Sequence, residues 1–106
     1  MDDLTRRQYE ARARILKALA HPSRLFIVDR LSSKPHCVQD LAGMIEADIS
    51  TVSRHLSVLR NAGIVKDQKE GTKVFYRLSV PCVLNFFSCV ESVMESNVKE
   101  QAGLLE

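Results

Sequence analysis

DISTVSRHLSVLRNAG, residues 48–63, is bounded like a short helix. Asp48 is placed to cap its start, with a carboxylate able to accept the Thr51 amide. Gly63 is placed to end it in the left-handed region. Val52, Leu56 and Leu59 recur at helical spacing and form an inward stripe. The other face opens with Ser50, Thr51, Ser53 and Arg54, three hydroxyls and a guanidinium crowded into the first turns. Groups of that kind need partners outside the chain.

Upstream, residues 5–20 read as a helix, with Leu16, Leu19 and Ala20 apolar and Arg6, Arg7, Arg12 and Arg14 on the wet side. Pro22 breaks it, because the residue before a proline avoids helical dihedrals. The same proline can open the next helix at its first turn. That second helix, PSRLFIVDRL, is expected to bury Leu25, Ile27, Val28 and Leu31. A third helix is expected from about His36 to Ile45, directly ahead of the opening stretch.

Downstream, IVKDQKE and KVFYRLS read as two strands turning around Glu70-Gly71. VPCVLNFFSCVESVMESNVKEQ reads as a final helix. Its ridge of Val83, Phe87, Val90 and Met94, widened by Phe86 and Val93, is broad enough to pack on a second chain. The order predicts a mainly α fold with a small β-hairpin: a winged helix-turn-helix (α-α-α-α-β-β-α) that dimerises through its first and last helices. Residues 1–106 form a single domain in this reading. The helix-turn-helix covers about 37–62, the wing about 64–78 and the dimerisation helix about 80–101.

The chain has 106 residues, of which 45% are hydrophobic, so it can build one core but hardly two. Net charge is only +2, yet the charge is unevenly placed. Residues 49–78 hold six Lys or Arg against two acids, and residues 79–106 hold one Lys against four Glu. A basic middle and an acidic tail fit one surface for phosphate and another for protein. No run is long enough for a membrane span, and the acidic start lacks the pattern of a signal peptide. The expectation is a cytoplasmic chain with no membrane partner. No C-x-x-C, nucleophile–base pair or Gly-rich phosphate loop is present, so an enzyme is not expected.

In a helix-turn-helix the second helix lays its N-terminal residues in the major groove, where hydroxyls and guanidinium groups meet base edges. Arg54 is the expected base reader, with Ser50 and Ser53 beside it, and Thr51 and Gln39 are expected phosphate clamps. Lys69, Thr72 and Lys73 put positive charge at the hairpin tip, as a wing touching DNA would. The expected partners are double-stranded operator DNA and a second copy of the chain. No cofactor is needed for binding DNA. A winged helix that binds protein instead is the other class, and the basic segment argues against it.

ALAHPSRLFIVDRL, VQDLAGMIEADISTVSRHLSVLRNAGIV and KEGTKVFYRLS together resemble the ArsR/SmtB family of metal-sensing repressors, over about residues 10–82. The resemblance implies a homodimeric winged helix that represses an operon and leaves DNA when an inducer binds. It places the family's base-reading positions on Ser50, Ser53 and Arg54. His21 and His55 belong to recurring stretches of the family, with packing or DNA-backbone contact as the implied role. Two departures stand out: Glu46 occupies a turn position where the family usually has Gly, and Gly43 lies inside the preceding helix.

The inducer site departs further. Arsenic-sensing members carry C-V-C-D-L-C on the third helix, whereas this chain reads CVQDLA, so Cys37 matches and Gln39 and Ala42 do not. The zinc-type set on the last helix also fails, since Val80, Val93 and Ser96 stand at ligand positions and only Cys82 falls where a His would be. Cys37, Cys82 and Cys89 remain. Cys82 and Cys89 are seven residues apart, about 10 Å along one helix, too far for a disulfide within that helix. Converging thiolates would suit As(III) or another thiophilic ion. The alternative trigger is oxidation or persulfidation of the same thiols. Cys37 and Cys82 are expected in the first turns of helices, where a thiol ionises more easily, and packing as small apolar residues is the competing role for all three.

Overall fold

The computed structural model describes residues 1–105, with side chains up to residue 103. Helix α1, Asp3–Leu19, starts two residues earlier than expected, because the Asp2 carboxylate accepts the Thr5 amide at 2.7 Å and caps it. Only Ala18 and Leu19 of this helix are buried. Helix α2 spans Pro22–Leu31, with Pro22 at its first position and the His21 ring accepting the Ser23 amide at 3.0 Å. Ile27, Val28 and Leu31 are buried. Leu25, expected in the core, is instead 38% exposed and faces the groove towards the last helix.

The helix-turn-helix consists of α3, Val38–Ile45, and α4, Ile49–Asn61. Between them Glu46 adopts the left-handed conformation (φ 62°, ψ 42°), and the Ala47 amide bonds back to the Ala42 carbonyl at 3.2 Å. That is why a glycine suits this position. Helix α4 closes on a Schellman motif, with Gly63 at φ 82°. The Gly63 amide bonds to Arg60 O at 3.0 Å and the Ile64 amide to Leu59 O at 3.0 Å. Ile64 and Leu59 are both buried, so the apolar contact typical of that motif points into the core.

Strands β2, Val65–Glu70, and β3, Lys73–Leu78, pair antiparallel from Val65↔Leu78 to Glu70↔Lys73. Gly71, at φ 63°, opens their two-residue turn. The sheet has a third strand. His36–Cys37, expected to begin α3, form β1 and pair with β3 as His36↔Tyr76 and Cys37↔Phe75, giving the order β1-β3-β2. Pro35 cannot carry a helix through this point, and the pairing keeps the two residues extended. Helix α5 runs Val83–Leu105. The core lies between α2, α3, α4 and the base of the sheet, where Ile27, Val28, Leu41, Val52, Leu56 and Leu59 are fully buried.

Candidate nucleic-acid interface

Helix α4 presents the two faces that its sequence implies. Val52, Leu56 and Leu59 are buried, while Ser50 and Arg54 are exposed and Thr51 and Ser53 half-buried. The start of the helix is fixed by Asp48, whose Oδ1 accepts the Thr51 amide at 2.7 Å and the Ser50 hydroxyl at 3.0 Å. Bonds from the Thr51 side chain and amide, and then from Ser50, hold the Asp48 carboxyl below its ordinary range. Among the described residues the one hydrogen bond of Arg54 is long, 3.5 Å from Nη2 to Thr51 Oγ1, and its side chain is exposed. Gln39, in the first turn of α3, is exposed, as are Lys69, Thr72 and Lys73 at the hairpin tip. Arg60 and Asp67 join the end of α4 to β2 at 3.2 Å.

Arg24 was not singled out by its spacing in the sequence, yet it ties three helices together. Its Nε donates to the Ala18 carbonyl at 2.6 Å and its Nη1 lies 3.2 Å from His55 Nδ1. The His21 and His55 rings sit 4.4 Å apart at 46°. Both histidines are therefore packed at the joint between α1, α2 and α4. Burial first, and then the charges of His21, Arg24 and Arg54, push the His55 imidazole down from its ordinary value.

The three thiols do not share one neighbourhood. Cys37 is buried at 1% exposure in β1, at the cap position of α3 rather than within its first turn, and its side chain makes no cap bond. Cys82 lies in the turn ahead of α5, again outside the helix proper, and is exposed; Cys89 is exposed on α5. Among the described residues no three His, Cys, Asp or Glu side chains gather as metal ligands within one protomer. Exposed apolar groups continue along α5, with Phe86, Val90, Val93, Met94 and Val98 between 43% and 65% accessible. With Leu16, Leu19 and Leu25 of α1 and α2, Phe86, Phe87 and Val90 line an open groove of about 410 Å³. Among the described residues no helix is long and apolar enough to cross a membrane.

A three-helix core with a β-wing, and a recognition helix whose polar start stands clear of it, define a winged helix-turn-helix DNA-binding protein. Residues 21–67 match the model of the bacterial regulatory proteins of the arsR family. The chain is 41% identical over 70 residues to the helix-turn-helix transcriptional regulator MJ1325 of Methanocaldococcus jannaschii, covering 65% of this chain and 79% of that one. It belongs to the ArsR/SmtB family of transcriptional regulators, which are not enzymes. Over 67 residues it is 43% identical to a cadmium resistance regulatory protein, a CadC homologue of Staphylococcus aureus, covering 62% of this chain and 55% of that protein. The solution structure of the homodimeric DNA-binding domain of Mb0332 from Mycobacterium bovis superimposes with a TM-score of 0.78 at 29% identity, over 94% of this chain and 93% of that one. The chain spans 40% of the length of the Mycobacterium tuberculosis regulator Rv0324 and 87% of that of the regulator MT0088.

Proposed function

We propose that this chain is a homodimeric repressor that holds operator DNA through α4 and the wing and releases it when its thiols take up a thiophilic metalloid or metal such as As(III). The observation that carries the DNA half is the start of α4. Ser50, Ser53 and Arg54 project from a helix whose other side is locked into the core, so base edges would meet rigidly held donors. Thr51, Gln39, Lys69, Thr72 and Lys73 act on phosphates in this reading. The whole chain works as one domain, with α5 and α1 joining the two copies.

The inducer half rests on donor chemistry. Cys82 and Cys89 are exposed free thiols on or beside the helix whose apolar face lacks a cover. Since no three ligands meet among the described residues of one protomer, the proposed site is built across the dimer from these thiols and their symmetry copies. Cys37 would join it only after β1 leaves β3. The cadmium-linked relative supports a soft ion as the class of inducer. Exposure of the same two thiols equally favours a second reading, in which oxidation or persulfidation is the trigger.

Native mass spectrometry of the reduced protein with arsenite separates the two. A dimer that gains arsenic with loss of three protons per site supports the metalloid reading. A dimer that stays bare with arsenite, but forms intersubunit disulfide or persulfide with oxidant or polysulfide, replaces it with the second.

A further inference from the structure

Behind the reading face, α1, α2 and α4 meet at a corner of basic side chains. Arg24 bonds to the last turn of α1 through Ala18 O and to the middle of α4 through His55 Nδ1. His21 caps α2, with its Nδ1 accepting the Ser23 amide, and its ring leans on that of His55. Arg54 adjoins on α4, and Arg14 and Lys17 of α1 flank the shallow groove beside Val58 and Asn61. The ion pairs among the described residues are Arg30–Asp29 and Arg60–Asp67, so neither joins a carboxylate to Arg24, His21 or His55, and the Asp48 carboxylate acts on Arg54.

His55 Nδ1 faces an N–H of the Arg24 guanidinium, which can only donate, and an imidazole that accepts there is neutral with its proton on Nε2. We propose that the corner is a proton-operated release for the recognition helix. A proton taken from solvent by His55 Nδ1 turns an acceptor into an N–H facing the Arg24 guanidinium, adding a positive charge 3.2 Å from an existing one. The tie of α4 to Arg24 is then lost, while Arg24 keeps its bond to the end of α1.

The direction follows from the environment. Burial and the neighbouring charges hold the folded His55 below its ordinary 6.5, so the unfolded chain binds the proton more tightly. The support that neutral His55 gives is complete above about that value. It declines as pH falls through the folded value. Phosphate attraction alone runs the other way, because added positive charge strengthens binding to DNA. Acid weakening of duplex binding is therefore the signature of the release. Its DNA arm rests on the proposed role of α4; the proton arm does not.

The test uses the full chain and a duplex that it selects from a random-sequence pool at neutral pH. Imidazole ¹⁵N shifts and α4 amide protection are followed across the ordinary histidine range, and duplex affinity is measured over the same range. We expect Nδ1 of His55 to be unprotonated at neutral pH and His55 to titrate below 6.5. We expect α4 protection to fall with that titration and duplex affinity to drop on the order of tenfold. His55→Asn offers an amide oxygen near the Nδ1 position and cannot titrate. It should keep α4 protected in acid and bind the duplex more tightly, not less, as pH falls. If the Asn variant does not fold, the wild-type ¹⁵N titration set against α4 protection decides. A proton on His55 Nδ1 at neutral pH, or the same acid loss in the variant, overturns the proposal. If no duplex is selected, the DNA reading fails, and the shifts with α4 protection still decide the release.

Discussion

Replacing Glu46 by glycine should stabilise this protein. Among the described residues Glu46 is the one non-glycine at positive φ, 62°, and it sits in the turn that sets α3 against α4. An L-residue in that conformation costs about 1–2 kcal/mol. Glycine removes this cost but loses about 0.4–1 kcal/mol through the freedom it restores to the unfolded chain. No hydrogen bond or ion pair among the described residues uses the Glu46 carboxylate, so little else is lost. The balance is a gain of about 0.5–1 kcal/mol.

Urea unfolding at a fixed protomer concentration reads this gain, since a dimer's stability depends on concentration. At a typical slope the midpoint should rise by about 0.3–0.7 M with the slope unchanged. The melting temperature should rise by about 4 °C. Glu46→Ala keeps the backbone strain while removing the carboxylate, and should leave the midpoint near wild type. A Glu46→Gly protein that is no more stable, or an Ala variant that gains as much, would show that the strain is not there.

Arg54→Ala should weaken binding to the selected duplex by about 1–3 kcal/mol while the dimer survives; unchanged affinity removes Arg54 from the reading face. Val93→Glu places a charge on the uncovered face of α5, at a residue 59% exposed in the protomer, so the fold should stand. Sedimentation should show the dimer dissociation constant raised about tenfold or more, and an unaltered dimer would move the interface elsewhere. Cys82→Ser should retain duplex binding and lose release by the inducer, and release at wild-type levels would assign Cys82 to packing. Asp48 lies below its ordinary 3.8, so its support of α4 is present above that value and is lost as pH falls through the folded one. Asp48→Asn should remove that acid-limb loss from a stability profile, and an unchanged limb would place it on other carboxylates.

Helices α2 and α4 were legible in the sequence because strong local signals bracket them. Pro22 opens one, and Asp48 and Gly63 bound the other, each acting within a few residues of itself. Strand β1 was not legible. Two residues show no periodicity, and what makes His36 and Cys37 a strand is the neighbouring β3, whose Tyr76 and Phe75 lie far along the chain. Leu25 misled for a different reason: apolar spacing marks a face that avoids water, but not whether this chain or a second one covers it. The corner at Arg24 depends on a partner 31 residues away, which no local pattern reports. The hydroxyl-rich start of α4 could be read early because cap, core stripe and polar face all lie within a single helix.

The same distinction bears on how a ligand at the thiols would reach the DNA. The core holds α3, α4 and the sheet base tightly, so a signal has little room to bend the reading head internally. Most of the apolar surface left uncovered lies on α1 and α5, with Cys82 and Cys89 on or beside the latter. In the proposed dimer, two rigid heads joined by these helices can differ in spacing without either head deforming. A ligand that prefers one pairing of the α5 helices therefore acts on the distance between two α4 helices. Successive major grooves tolerate only one such distance, about 34–36 Å. On the proposed reading, induction need only favour the wrong spacing by the usual 1–3 kcal/mol or so of an allosteric pair. Buried Cys37 is the poorer trigger, because reaching it means first breaking the β1–β3 pairing that seats α3.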